Sequence, residues 1–258
     1  MSTTAYRLTT PGVLRSEWHK LWTVRSTWAA LLSASLLTLG VGLVMGATYE
    51  TGGGDGDVDT VVLTLIGIQF AQVAFGVLGI LVTAGEHANG MIRATMTTVP
   101  RRLPVLWSKA AVFTVAAFAV SLVTALVTFP AAQVFFAGTD QEASFGDPGV
   151  LRALVGSSAA VTLLGLIALG LGALCRSVPG ANGAFIGGVM ILPEVIGMLP
   201  YDIVHDALQY FPDKTAVVLM SADPVPGAPS PGAALLAMVL WAAATLAAAA
   251  LLLRRRDV

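Results

Sequence analysis

Six long apolar runs divide the 258-residue chain, and their length is the strongest constraint on its fold. A helix needs about 20 mostly apolar residues to cross a hydrocarbon core about 30 Å thick. Because the chain is 56% hydrophobic and only 11% charged, a soluble domain would expose far too much apolar surface. The sequence therefore predicts an all-α polytopic membrane protein with six transmembrane helices. The predicted spans are residues 28–47, 60–84, 105–129, 152–174, 181–199 and 232–253.

The charged residues are sorted between alternate connections of these runs. Basic residues near the ends of spans resist translocation and mark the cytoplasmic side. With the N-terminus in the cytoplasm, 12 of the 14 basic residues lie on that side, and the exceptions are Arg152 and Lys214. We therefore expect a multi-pass membrane protein with both termini in the cytoplasm. This pattern gives no indication of nucleic-acid binding.

An amphipathic helix is predicted ahead of the first span. Leu14, Trp18, Leu21 and Trp22 recur at helical spacing on one side. Such a helix is suited to lie in the headgroup layer, with its charged residues on the other side. Residues 1–27 are thus interpreted as a cytoplasmic tail with an interfacial helix, and residues 28–258 as a single transmembrane domain. The helix is expected to anchor the chain to the bilayer, and a contact surface for a cytoplasmic partner is the alternative.

The connection between the second and third runs is short and organised. Gly85 is expected to end the second span, and Glu86 suits the positive N-terminal end of a new helix, which Pro100 would close. Lys109 in the third run is expected to extend back toward water. The sequence predicts a short cytoplasmic helix here, parallel to the membrane.

The order of these features resembles the type-2 ATP-binding-cassette (ABC) exporter permeases. The first coupling loop of that family has an acidic residue at the end of span two, then glycine, a basic residue, threonines, and proline followed by arginine. Residues 86–101 are similar to that pattern. The segment from Arg15 to Trp28 and the ending from Leu253 to Asp257 look like those of actinobacterial members. The resemblance covers the whole chain, and Glu194 in the fifth run departs from the common pattern.

The resemblance implies a permease subunit of a bacterial plasma membrane that forms half of the translocation pathway of an ATP-driven exporter. Its expected partners are a cytoplasmic ABC ATPase dimer and a second permease, either an identical copy or a paralogue. In the family, two helices between spans five and six form an external re-entrant hairpin, and residues 201–231 have suitable spacing for it. The expected cargo is a lipophilic or amphipathic drug, peptide or lipid. Contact with the ATPase is expected from Glu86, His87, Asn89, Gly90, Arg93, Thr95, Glu17 and Lys20.

The chain lacks a segment that could bind ATP phosphates. Such a loop needs glycines followed by lysine and a hydroxyl residue, and none of Lys20, Lys109 and Lys214 follows one. ATP and Mg²⁺ are therefore expected in the partner subunit, with no cofactor or catalytic residue in this chain. Three histidines and one cysteine also provide no clustered ligand set for a metal.

Polar residues inside the spans are candidates for the pathway, because polarity in lipid is costly and usually faces protein or water. They could instead form hydrogen bonds between helices of one subunit. Glycine pairs at 42 and 46 and at 183 and 187 have the spacing for close helix approach. The candidate pathway residues are Gln69, Phe70, Gln72, Phe75, Asn182 and Glu194.

Two other functions fit a six-span chain. One is a non-transporting membrane receptor or assembly protein of the same fold, and the other is a secondary carrier that works without ATP. A carrier would be expected to hold more ionisable residues near the bilayer midplane, and frequently inverted repeats.

Overall fold

The structure is a computed structural model that describes residues 10–49, 59–88 and 102–255. Every regular element in these ranges is a helix. Six helical segments among the described residues are long and apolar enough to cross a membrane. The all-α, six-span architecture predicted from hydropathy is therefore confirmed.

Five of the six spans are longer than the apolar runs that predicted them, and span two is shorter. An N-terminal helix, Thr10–Thr23, precedes them, and short helices lie at Thr60–Thr64, Asp202–Leu208 and Pro212–Met220. Span five is a composite of Val178–Gly183, Ala184–Ile191 and Leu192–Gly197. Spans one, two, three, four and six are Arg25–Thr48, Ile68–Ala88, Arg102–Phe136, Val150–Cys175 and Pro231–Arg255.

The predicted second span over residues 60–84 is interrupted near its start. Asp59 caps the short helix Thr60–Thr64 by accepting hydrogen bonds from the backbone amides of Val61 and Val62. The chain then turns before span two, at a point where Gly67 lies against span one. A Cβ on Gly67 would come within 2.5 Å of the Leu37 carbonyl oxygen, so this approach requires glycine.

Span two also ends later than predicted. The helix runs through Gly85 to Ala88, so the prediction that Gly85 ends it is wrong. A glycine inside a helix costs only about 1 kcal/mol relative to alanine. The next residue, Glu86, forms ion pairs that are described below, and they outweigh the cost of the glycine.

Glycine pairs behave differently in spans one and five. A Cβ on Gly42 would lie 2.4 Å from the Thr64 carbonyl oxygen, and one on Gly46 would lie 3.1 Å from Cβ of Phe135. The predicted close approach at span one is therefore confirmed. In contrast, nothing within the described residues lies within 4 Å of a Cβ at 183 or 187. The middle of span five, Ala184–Ile191, is instead a π-helical segment.

The centre of the fold is the contact between spans two and four. These are the two most enclosed spans, whereas span five is the least enclosed. A Cβ on Gly79 would come within 2.2 Å of the Gly165 carbonyl oxygen, so the two backbones are almost in contact. One turn further, Thr83 Oγ1 donates to the Leu169 carbonyl oxygen at 3.0 Å. Small residues permit this approach, and the hydroxyl satisfies a hydrogen bond across it.

We expect Gly79→Ala to destabilise the fold, because its methyl group would meet the backbone of span four. Overpacking of this kind typically costs about 1–3 kcal/mol. The apparent melting temperature in detergent should fall by roughly 5 °C. The matched control is Gly40→Ala in span one, since no neighbour in the described part of the chain lies within 4 Å of a Cβ there. Equal melting temperatures for the two variants would contradict the proposed packing.

Candidate functional site

Four charged side chains from three helices form a closed ring beside the end of span two. Lys109 Nζ on span three lies 2.8 Å from Glu17 Oε2 and 2.8 Å from Glu86 Oε1. Lys20 Nζ lies 2.8 Å from Glu17 Oε1 and 3.2 Å from Glu86 Oε1. The charges alternate around the ring, so each acid contacts both lysines. We call these four residues the charge ring.

Most of the charge ring is buried. Glu17 and Glu86 are each 5% exposed and Lys109 is 6% exposed, whereas the Lys20 side chain is 35% exposed. Taking a charge out of water costs several kcal/mol, and only close pairing with good geometry offsets that cost. Three helices must therefore stay together for the ring to exist.

The pKa of Lys20 reflects this pairing. Burial by itself disfavours the ammonium form and lowers the pKa. The hydrogen bond and charge of Glu17, together with those of Glu86, outweigh it and raise the pKa above the ordinary lysine value of 10.5. Lys20 therefore stays protonated at neutral pH, and the stabilisation that it supplies is lost only when the pH rises through that raised value.

The N-terminal helix places Glu17 on its buried side. Val13, Glu17 and Leu21 are four residues apart and all three are buried. This arrangement differs from the expectation that the charged residues of this helix face away from its apolar side. In the sequence, the burial of Glu17 is indicated by its position four residues after Val13 and four before Leu21, which places all three on one side of the helix.

Lys109 is the ring residue whose role was missed from the sequence. It was expected to extend toward water, and that expectation is wrong because the side chain is buried and paired. Its neighbour Ala110 and the aromatic Phe113 belong to the apolar core. A lysine one turn from a buried phenylalanine is a weak signal, since lysine near span ends usually extends to the interface.

A cavity of about 140 Å³ lies beside the charge ring. Glu17, Lys20, Glu86 and Lys109 line it together with aliphatic side chains of span two and the end of the N-terminal helix. Glu86 Oε2 is buried and has no hydrogen-bond partner among the described residues. The ring therefore retains one acceptor for a further donor.

The predicted ATPase-contact residues fall into two groups. Glu17, Lys20 and Glu86 come together in the charge ring. The side chain of His87 and the residues Asn89, Gly90, Arg93 and Thr95 lie outside the described residues, as does the predicted coupling helix.

The predicted pathway residues on span two point in different directions. Gln69 and Phe70 are exposed on the surface of the subunit. Gln72 and Phe75 are each 3% exposed, so in this subunit they lie among its own helices. A translocation pathway along span two would therefore contact Gln69 and Phe70.

On span five, Asn182 is half-buried, and its Oδ1 has no hydrogen-bond partner among the described residues. Glu194 is exposed near the other end of that span and forms an ion pair with Lys214 of the helix Pro212–Met220. Asp213 lies next to this pair. A second cavity near it is lined in part by Glu194, His205 and Lys214.

No protein-family model matches the chain, and no curated protein matches its sequence. No group of three metal-ligating His, Cys, Asp or Glu side chains occurs in the described part of the chain.

Lys109→Met should destabilise the protein, because it leaves two buried carboxylates with one half-exposed lysine. Removing one partner of a buried ion pair costs about 3–5 kcal/mol. The apparent melting temperature in detergent should fall, and proteolysis within the N-terminal helix should become faster. Lys214→Met is the control, since it breaks an exposed Lys–Glu pair worth about 0–1 kcal/mol. Similar effects of the two changes would show that the ring does not hold the helix.

Asp213 should make stability depend on pH. Burial, followed by the nearby Glu194 carboxylate, raises its pKa from 3.8 to about 6, although Lys214 opposes the shift. A carboxyl that binds its proton more tightly in the folded chain stabilises the fold at low pH, and this contribution disappears as the pH rises through about 6.

Asp213→Asn should therefore match the wild type in melting temperature near pH 4 and exceed it at pH 7.5, because asparagine resembles the neutral acid. Melting curves across this range test the sign. The control is Asp202→Asn, which removes an exposed carboxylate from the preceding short helix. A difference between Asp213→Asn and wild type that does not change with pH would contradict the assignment.

Proposed function

We propose that this chain is the transmembrane permease subunit of an ATP-driven exporter of the type-2 ABC class. It would form half of a translocation pathway with a second permease, identical or paralogous, and ATP hydrolysis would occur in separate cytoplasmic ATPase subunits. The observation that carries the proposal is the charge ring, which joins the N-terminal helix to the last turns of span two.

The charge ring lies next to the segment on which the ATPase would act. Glu86 directly precedes the connection over residues 89–101, for which a cytoplasmic coupling helix is proposed. Because Glu86 is paired to both the N-terminal helix and span three, a displacement of this connection would move all three helices together. A flexible end of span two would absorb the displacement instead.

The packing of span two offers a route for that displacement across the bilayer. Gly79 and Thr83 hold span two against span four at backbone distance. Spans two and four would therefore tilt as one unit. The second permease would cover exposed surface on spans two and five, and Gln69 and Phe70 would face the pathway between the subunits.

The exit would lie at the opposite end of the spans. The helices Asp202–Leu208 and Pro212–Met220 are proposed to form the external hairpin of this class. The second helix packs on span four, since a Cβ on Gly156 would lie 2.2 Å from the Leu219 carbonyl oxygen. The mixed apolar and polar surface of Gln69 and Phe70 favours a lipophilic or amphipathic cargo.

The partner can be tested directly. The tagged full-length chain is cross-linked in its native membranes, purified, and exposed to a photoreactive ATP analogue. We expect the label on a separate copurifying polypeptide and none on this chain. Purification without any ATPase would favour a receptor or assembly role, and nucleotide-driven efflux by proteoliposomes that contain only this chain would refute the proposal.

Coupling can be measured without knowledge of the cargo. The chain has a single cysteine, Cys175, which is exposed at the end of span four, so one fluorescent probe can be attached there. In the assembled transporter, ATP should change the fluorescence of this probe. Glu86→Ala and Arg93→Ala should preserve ATP hydrolysis and membrane insertion but reduce the ATP-dependent change several-fold. Lys214→Met is the control and should retain it. An undiminished response in both variants would remove Glu86 and Arg93 from the coupling role.

A further inference from the structure

A groove lies on the side of the N-terminal helix that faces away from the charge ring. It has a volume of about 350 Å³ and is formed by the N-terminal helix, span one and span three. Trp18 and Trp22 lie at one end, and Ser35 and Thr124 at the other. The groove is on the outer flank of two transmembrane spans, where the surrounding solvent is lipid.

The length of the groove is close to the thickness of one leaflet of the hydrocarbon core. Its floor follows span three from Val115 to Thr124, which covers roughly 14 Å at 1.5 Å per residue. One leaflet of a hydrocarbon core is about 15 Å deep. The hydroxyls at the deep end bond to each other, with Ser35 Oγ 2.9 Å from Thr124 Oγ1. That end therefore suits an apolar chain.

At the end of the groove formed by Trp18 and Trp22, one indole N–H has no hydrogen-bond acceptor in the described part of the chain. Trp22 Nε1 is buried and has no acceptor among the described residues. The neighbouring Trp28 donates its own indole N–H to the Trp22 carbonyl oxygen at 2.9 Å. A buried donor without a partner is unfavourable, so the described residues leave polarity unmatched at this end of the groove. Tryptophan is also enriched at the headgroup level of a bilayer.

The charged residue that lies beyond the two tryptophans on this side of the helix is a basic one, Arg15. Arg15 is exposed and lies three and seven residues before Trp18 and Trp22, so it is on the same side of the helix. The only acid in the N-terminal helix, Glu17, lies on the opposite side within the charge ring. This side therefore carries a cation without a neighbouring carboxylate from its own helix.

We propose that this groove is a binding site for an anionic phospholipid of the surrounding bilayer. One acyl chain lies along Ala119 and Val123 beside the rings of Trp18 and Trp22, and the headgroup phosphate pairs with Arg15. The bound lipid fills the space between the N-terminal helix and span three. This inference concerns a bilayer component and does not depend on the exporter proposal.

The site can be tested by native mass spectrometry of the full-length chain in detergent. The probes are phosphatidylglycerol and phosphatidylcholine with identical acyl chains. A cation near the headgroups contributes about a fivefold preference for the anionic lipid. We expect the wild type to retain phosphatidylglycerol with about that preference. Arg15→Gln should bring the ratio close to one while phosphatidylcholine retention stays unchanged.

A filled groove should exclude both lipids. Ala119→Trp places a large side chain on the exposed floor, and retention of either lipid should fall about tenfold. The matched control is Val239→Trp, which adds the same ring to an exposed position on span six. The proposal is overturned if Ala119→Trp binds lipid as the wild type does, or loses no more than Val239→Trp.

The wild-type protein supplies a test that does not depend on variant folding. In bilayers, brominated lipids quench tryptophans that they contact. Brominated phosphatidylglycerol should quench the intrinsic fluorescence at a several-fold lower mole fraction than brominated phosphatidylcholine. Equal quenching by the two lipids would overturn the anionic preference.

Discussion

Pairing of buried charge is the constraint on which the rest of the structure depends. Glu17, Glu86 and Lys109 are each almost fully buried, and an isolated charge there would cost several kcal/mol. Each acid satisfies that requirement by contact with both lysines, and the lysines come from different helices. The N-terminal helix, the end of span two and the start of span three are therefore fixed relative to one another by one set of contacts.

Hydropathy predicted the six spans because the apolar length required by a bilayer is a property of local sequence. The interruptions were not predictable in the same way. Gly67 turns the chain because the Leu37 carbonyl oxygen lies 2.5 Å from where its Cβ would be, and that contact joins residues 30 positions apart. The charge ring likewise depends on contacts between distant parts of the chain. Glu17, Lys20 and Glu86 could be selected from the sequence as functional residues. Their pairing with Lys109 appears only when three helices are packed together.

The enclosed and exposed spans divide the subunit into two parts with different requirements. Spans two and four meet at backbone distance at Gly79, where a side chain would meet the Gly165 carbonyl oxygen, and a side chain at Gly165 would meet the ring of Phe113 on span three. In span five, no described neighbour lies within 4 Å of a Cβ at Gly183, Gly187 or Gly188, and the middle segment is π-helical, so the described part of its own subunit constrains it little. A contact from another molecule could change the conformation of span five at lower cost than that of span two, because fewer packed side chains would have to move.

Different interactions act on the two sides of the N-terminal helix. On one side, ion pairs of Glu17 and Lys20 hold it to spans two and three. On the other side, Trp18 and Trp22 border an apolar groove open to lipid. Water in that groove would raise the local dielectric near span three and weaken the ion pairs that depend on exclusion of water. An apolar occupant of the groove would therefore strengthen the charge ring without contact with any of its four residues.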